Sequence, residues 1–246
     1  MTRVPDREGA PQRLDGAPWR NLYGRRRGKT LRARQAELLD TLLPTLALPG
    51  VDWEANPERR PLDLAALAPQ AREVRLEIGF GGGEHLLAEA RAEPDVAHIG
   101  CETFVNGVAM CLSALDRAPA PNVRLHAGDA RFLFDVLPEG SLARVSLLYP
   151  DPWPKRRHWE RRFVNPDNLD AIARLLRPGG EFRVATDIDD YARHTLMRIA
   201  ARPEFLWLAE RPDDWRRPWP GWPGTRYEAK ALRDGRAPSY LRFARR

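Results

Sequence analysis

From residue 72 onward the chain alternates short apolar runs with helix-period segments, and the first of those runs ends in a cluster of glycines. VRLEIGF (74–80), AHIGCET (97–103), VRLHAGDA (123–130), ARVSLLYPD (143–151) and EFRVATD (181–187) read as strands. Helical stretches run from Glu84 to Arg91, Val105 to Leu115, Asn165 to Leu176 and Asp189 to Arg202, the third closing on Pro178-Gly179-Gly180. Strands that alternate with helices need crossover connections, which place them parallel in one sheet with helices on both faces. FLWLAE (205–210) and YLRFARR (240–246) add a final pair of strands. The expectation is an α/β domain around a doubly wound, mostly parallel seven-stranded sheet. Such sheets bind ligands at the carboxyl ends of their strands.

Ahead of this domain, residues 1–35 carry few apolar positions and many charges, and read as a basic arm that is mobile when free. Asp6, Glu8 and Asp15, with no serine before Ser113, fit a mitochondrial presequence poorly. Leu38, Leu39, Leu42, Leu43 and Leu46 then fall at helical spacing from Ala36 to Leu48, interrupted by Pro44. The 36–246 remainder is expected to be one domain. Of its 246 residues the chain has 40 Lys+Arg against 34 Asp+Glu, a net charge of +6. Residues 1–36 hold +7 of this, residues 211–246 hold +6, and the body between them is −7 despite the run Lys155, Arg156, Arg157, Arg161, Arg162. Basic patches at both ends and in one internal loop fit a polyanion held at several places. No apolar run reaches the length of a membrane span. Cys101 and Cys111 make no disulfide framework, and no Cys/His group has zinc spacing. A cytoplasmic protein without a bound metal is expected.

At the end of the first strand stands Glu77-Ile78-Gly79-Phe80-Gly81-Gly82-Gly83. Glycines there allow a tight turn and close approach of a ligand to the backbone beside a helix start. A dinucleotide fingerprint needs glycine at position 84, where Glu84 would oppose a pyrophosphate. The pattern E-x-G-x-G-x-G instead resembles the first motif of class I S-adenosylmethionine methyltransferases, whose Rossmann-like fold this arrangement shares. Glu102 ends the second strand, where such a site holds its ribose-binding acid. Asp129 ends the third, and the resemblance implies contact with adenine. It also places Glu77, with Gly79, toward the methionine end, and makes Gly81 a further cofactor-binding residue.

After the fourth strand comes Leu148-Tyr149-Pro150-Asp151-Pro152-Trp153-Pro154-Lys155-Arg156-Arg157-His158-Trp159-Glu160-Arg161-Arg162. Three prolines stiffen an acid–aromatic corner that leads into a cationic strip. Such a surface suits a flat base joined to a phosphate chain, because Trp stacks on bases and Arg grips phosphates bidentately. The string P-D-P-W-P-K-R-R-H resembles the signature of the bacterial tRNA (guanine-N7)-methyltransferases, which methylate guanine 46 in the tRNA variable loop. Asp187 in Ala185-Thr186-Asp187-Ile188, and Thr225-Arg226-Tyr227-Glu228-Ala229-Lys230, resemble two further elements of that family. The resemblance implies that Glu77, Glu102, Asp129 and Asp151 line the S-adenosylmethionine side, with Asp151 as the catalytic carboxylate. It assigns Lys155, Asp187, Thr225, Arg226, Tyr227 and Glu228 to the target nucleotide. Arg157, His158, Trp159, Glu160, Arg161 and Arg162 are assigned to RNA, although Trp159 and Glu160 stand where many relatives carry basic residues. It implies tRNA as partner, a monomer or homodimer, and no obligate second subunit.

Guanine N7 carries an in-plane lone pair and no proton, so its methylation needs no general base. The lack of any Ser-His, Cys-His or metal constellation agrees with that chemistry. Scattered histidines and both cysteines read as structural. Trp215, Trp219 and Trp222 lie in a Pro-rich loop that either clamps itself to the body or stacks on RNA. Three other readings stay open on the sequence. A non-catalytic RNA-binding module would need the basic patches but not the strand-end carboxylates. A nicotinamide dehydrogenase would share the sheet but conflict with Glu84. A methyltransferase acting on another RNA or a small molecule differs only at the 150–162 string and the 225–228 element.

Overall fold

The computed structural model describes residues 13, 14 and 16–246. Its strands are β1 (Glu73–Ile78), β2 (Val96–Cys101), β3 (Val123–His126), β4 (Leu142–Leu148), β5 (Leu176–Thr186), β6 (Phe205–Trp207) and β7 (Ser239–Arg245). They form one sheet in the order β3-β2-β1-β4-β5-β7-β6. The first five pair in parallel, and β7 runs antiparallel between β5 and β6. The strand order reverses between β1 and β4, and the crevice at that switch point opens above the carboxyl ends of both.

Continuous burial along β2 and β4 matches strands covered on both faces. On one side Val145, Leu147, Phe182, Val184 and Leu241 pack with Ile172 of α7 (Pro166–Leu175) and with Tyr191 and Ile199 of α8 (Asp189–Ala200). On the other, Leu86 and Leu87 of α4 (Glu84–Ala92) meet Val108, Cys111 and Leu112 of α5 (Val105–Arg117). Leu38 of α1 (Ala33–Thr41) closes that second layer. Each such leucine contributes about 1.5–3 kcal/mol by burial. Both cysteines are buried, and burial pushes the Cys111 thiol up to about 12. No helix among the described residues is long and apolar enough to cross a membrane.

Several boundaries differ from those expected. The leucine stretch divides into α1 and a short α2 (Leu43–Leu46), with Pro44 in the first turn, where its missing N–H costs nothing. β1 stops at Ile78 because Gly79 turns to φ +74°, and β3 stops at His126 because Asp129 caps α6 (Ala130–Phe134). β5 starts earlier than read: Pro178-Gly179-Gly180 lies within it as an irregular insertion, between the pairings Leu142–Leu176 and Arg144–Glu181. Of FLWLAE only Phe205–Trp207 is strand.

Residues 16–32, read as part of a mobile arm, lie against the domain. The Val105 N–H, at the start of α5, donates to the Arg26 carbonyl at 2.9 Å. That supplies a partner to a donor the helix itself leaves unpaired. The Gly28 N–H donates to Asn106 Oδ1 at 2.6 Å, and Asn106 Nδ2 donates to the Lys29 carbonyl at 2.7 Å. Arg20 pairs with Asp135 at 2.9 Å, and α1 already begins at Ala33. The rest of the arm reading, residues 1–12 and 15, falls outside the described residues.

His98, buried on β2, gives the fold an acid-sensitive point. Burial pushes its imidazole down to about 4, while an unfolded histidine titrates near ~6.5. Between those values the unfolded chain binds the extra proton, so stability rises with pH and is lost as pH falls from about 6.5 to 4. His126 and His194 shift the same way, and His85 shifts oppositely. Urea unfolding of a His98→Gln variant is expected to show an acid limb shallower than the parent's by about 3 kcal/mol across that window.

Candidate active site

The turn after β1 is built so that something can approach it. A Cβ placed on Gly79 would meet nothing within 4 Å, so this backbone faces open space. Two residues on, the Gly81 N–H donates to Glu102 Oε2 at 2.8 Å, and the Phe104 N–H donates to Glu102 Oε1 at 2.8 Å. Glu102 thereby ties the β1 turn to the end of β2. Burial raises its carboxyl above the ordinary range, the two amide donors oppose that, and the nearby Asp151 charge adds to it. Gly107 lets α5 approach, since a Cβ there would stand 2.5 Å from the Gly81 carbonyl oxygen.

Asp129 sits at the end of β3 as the N-cap of α6, accepting from the Arg131 backbone N–H at 3.0 Å and from its Nη2 at 2.5 Å. Burial works against its charge, but the Arg131 guanidinium outweighs burial and holds the carboxyl below its ordinary value. The fourth wall is the corner after β4. Tyr149 and Trp153 adopt φ of +51° and +41° on either side of Asp151, a left-handed backbone that costs bulky residues about 1–2 kcal/mol each. Asp151 is exposed, and its carboxylate lies against the arm: a Cβ on Gly24 would stand 3.3 Å from Asp151 Oδ2.

These walls enclose one cleft of about 930 Å³ that contains Gly79, Glu102, Asp129, Asp151 and Tyr227 in its lining. Its remaining side is formed by Trp19 through Arg25 of the arm, a segment expected only to be basic and to help hold a polyanion. The signal for this was the pair of apolar residues Leu22 and Tyr23 inside an otherwise charged segment. Tyr149 and Arg131 are further cleft residues that the sequence reading passed over.

Other expected site residues stand elsewhere. Glu77 does not line the cleft; it is buried and faces His85, whose Nδ1 lies 2.6 Å from its Oε2. Burial disfavours the charged imidazole, but the Glu77 carboxylate prevails and raises the His85 value. Gly81 is covered by the Tyr227 ring, 3.3 Å from where its Cβ would be. Arg226 lies across Gly82 and pairs with Glu84 at 2.6 Å. Thr225 and Glu228 form a capping box at the start of α10 (Arg226–Arg233). Glu228 is buried, accepting from Trp222 Nε1 at 2.8 Å and from the Tyr240 hydroxyl. Its carboxylate is therefore occupied by the fold, and of residues 225–228 only Tyr227 faces the cleft. Asp187 pairs with Arg236 at 2.6 Å, and Lys155 is exposed outside the cleft lining.

The cationic strip forms a 3-10 turn, Arg156–Arg161. Arg156, Arg157 and Glu160 are exposed there, and His158 lies edge-on to Trp153. Arg161 lies over both Tyr23 of the arm, at 4.8 Å, and Trp153, at 5.1 Å, two rings that meet edge to face. Arg162 departs from the expected RNA role. It is wholly buried, donates Nε to the Pro152 carbonyl at 2.9 Å, pairs with Asp190, and lies over Trp159 at 4.8 Å and Tyr191 at 5.5 Å. It holds the Asp151 corner in place from beneath. In the Pro-rich loop, Trp219 is buried against Trp222 and Tyr240, so this part of the loop is clamped to the body. Among the described residues no group of three or more His, Cys, Asp or Glu is placed to hold a metal ion.

Known proteins resemble this chain over most of its length. A family model described as "Putative methyltransferase" matches residues 71–240. A tRNA (guanine-N(7)-)-methyltransferase of Ruegeria sp. (strain TM1040) is 58% identical over 238 residues, covering 97% of this chain and 92% of the relative. The protein of that name from Bradyrhizobium diazoefficiens is 50% identical over 98% of this chain and 100% of its own length. Among solved structures, the 16S rRNA methyltransferase KamB superposes with a TM-score of 0.52 at 18% identity, over 75% of this chain and 93% of its own, a likeness of fold. With relatives this similar over nearly its whole length, the chain belongs to the tRNA (guanine-N7-)-methyltransferase family.

Proposed function

We propose that this protein transfers a methyl group from S-adenosylmethionine to N7 of guanine 46 in the variable loop of tRNA, in the cytoplasm. The observation that carries the reading is the cleft at the sheet's switch point, where the Gly79 turn, Glu102, Asp129 and the Asp151 corner meet. The residues fit the cofactor: the space facing Gly79 is open, Glu102 keeps lone pairs beyond its two amide bonds, and Ile78, Cys101 and Leu147 give apolar walls. Glu102 would take the ribose hydroxyls, Asp129 the adenine amino group, and the Gly79 turn the methionine end. S-adenosylmethionine supplies a methyl carried on a positively charged sulfur.

The guanine N7 lone pair forms the new N–C bond as the C–S pair returns to sulfur, so positive charge passes to the base and no proton moves. Alignment and electrostatics therefore carry the catalysis. Asp151 is exposed at the cleft wall and is proposed to orient the guanine edge and offset its new charge. Asp187, bound to Arg236, and Lys155, exposed two residues beyond Trp153, are assigned supporting contacts to the nucleotide.

The test is a nucleoside digest of unmodified tRNA incubated with the protein and methyl-labelled S-adenosylmethionine. All the label is expected in 7-methylguanosine; label in any other nucleoside, or none in RNA, contradicts the reading.

Phosphate grip is assigned to Arg25, Arg26 and Arg27, which are exposed on the docked arm, and to Arg156 and Arg157. Each duplex phosphate neutralised contributes about −0.9 to the slope of log affinity against log salt. Replacing Arg25, Arg26 and Arg27 by alanine is expected to flatten the tRNA salt slope by about 2–3. Filter binding at several salt concentrations measures it, and an unchanged slope removes the arm from the RNA surface. Substitution is the cleaner probe than truncation, because deleting the arm would also remove the cleft wall from Trp19 to Arg25.

A further inference from the structure

We infer that Tyr149 and Tyr227 form a two-sided aromatic slot that takes the target guanine and stabilises the positive charge the base acquires. This rests on the proposed reaction and adds a residue, Tyr149, and an electronic role to it. The two rings line the same cleft from opposite elements, Tyr149 from the corner after β4 and Tyr227 from the first turn of α10. Their centroids are 6.4 Å apart and their planes differ by only 23°. At this distance and angle the rings form an offset-stacked pair, within the usual range of about 4.5–7 Å. A planar base between two rings needs about 7 Å, twice a van der Waals thickness. Opening the pair to that separation calls for movement of the outer ring, Tyr227, which is 45% exposed.

The inner ring is held firmly. Tyr149 has φ +51°, its N–H donates to the Ala185 carbonyl at 2.7 Å, and its ring packs beside Leu148, Ala185 and Tyr240. Bulky side chains are kept in this backbone region where surrounding structure over-determines them, and such positions cluster at ligand clamps. The slot also lies where the chemistry needs it. Tyr227 covers Gly81 of the β1 turn, and Asp151 follows Tyr149 by two residues on the same corner.

As the N7–C bond forms and the C–S pair leaves with sulfur, the purine becomes a cation between two electron-rich faces. Cation–π attraction then strengthens toward the transition state, which is the condition for an interaction to raise the rate rather than only the affinity.

The test is single-turnover methylation of saturating tRNA, with heat denaturation as a check on folding. Tyr149→Leu is expected to slow the step at least tenfold while the dissociation constants for S-adenosylmethionine and tRNA stay within threefold. Tyr149→Phe, which keeps the π face, is expected to recover most of that loss. A second readout separates the slot from mere packing: with S-adenosylhomocysteine present, the parent enzyme is expected to bind 7-methylguanosine monophosphate more tightly than guanosine monophosphate. Tyr149→Leu and Tyr227→Leu are expected to abolish that preference. Equal affinity of the parent for the two nucleotides, a preference that survives both substitutions, or a Leu variant as fast as the parent overturns the slot. If the parent itself transfers no methyl to tRNA, the proposed function fails, whatever the nucleotide preference shows.

Discussion

An Asp151→Asn enzyme is expected to turn over about a hundredfold more slowly than the parent, by the same factor at every pH from about 6 to 9. The uniform factor follows from the nucleophile. N7 has no proton to lose, so the carboxylate acts through its charge and position, and no titrating base shapes the profile. Asp151 is suited to this because its neighbours in the cleft are already engaged. Asp129 is held by Arg131 and Glu102 by two backbone amides, whereas Asp151 is exposed at the wall, on a corner fixed by Pro150 and Pro152. Steady-state rates measured across pH check it. Full turnover in the Asn enzyme removes the charge from the mechanism, and a loss confined to one side of a pKa makes Asp151 a base.

The second large effect is on stability. Arg162→Ala is expected to lower unfolding free energy by about 2–3 kcal/mol, or roughly 5–10 °C in Tm for a chain of this length. The guanidinium is completely buried and joins the Pro152 carbonyl, the Asp190 carboxylate and the faces of Trp159 and Tyr191. Its loss leaves a cavity and an unpaired carbonyl beneath the Asp151 corner. The Asp190 carboxylate is 35% exposed and recovers water, which keeps the cost below that of a fully buried broken pair. Arg162→Lys is expected to rescue little, because an ammonium cannot bond along the corner and stack on two rings at once. Arg157→Ala, on the exposed side of the same turn, is expected to change stability by less than about 0.5 kcal/mol while weakening tRNA binding. Calorimetry on the three variants distinguishes the two arginines.

Those two arginines show where sequence reading stops. The strip reads as one cationic run, but in a 3-10 turn neighbouring side chains point in different directions, and chain order does not say which one faces the core. The same holds for Thr225 and Glu228. Their spacing, Thr followed three residues later by Glu, spells a helix N-terminal capping box, and the structure uses them that way, with Glu228 also anchoring Trp222 and Tyr240. The sheet itself was legible, because its strands are short runs rich in Val, Leu, Ile and Phe and its turns are marked by glycine and proline. Strand ends were less so, since the apolar character of Phe80 continues past the point where Gly79 turns the chain. Glu102 and Asp129 stand in the cleft where the strand pattern put them, but Glu77, one period earlier on β1, points to α4 and His85. The arm was the least legible part. What orders residues 26–29 is Val105 and Asn106, nearly eighty residues downstream, and no local pattern in a basic segment reports such a partner.

Where on the RNA the methyl lands is the sharpest single test of a cleft that aligns one purine nitrogen with the sulfonium carbon. A tRNA transcript treated with the enzyme and S-adenosylmethionine can be cleaved chemically at 7-methylguanosine and sized. One cut, at the variable-loop guanine, is the expected result. Cuts spread over many guanines, or an uncut strand that nonetheless carries methyl label, would mean that the Asp151 corner and the Gly79 turn do not act on the same base.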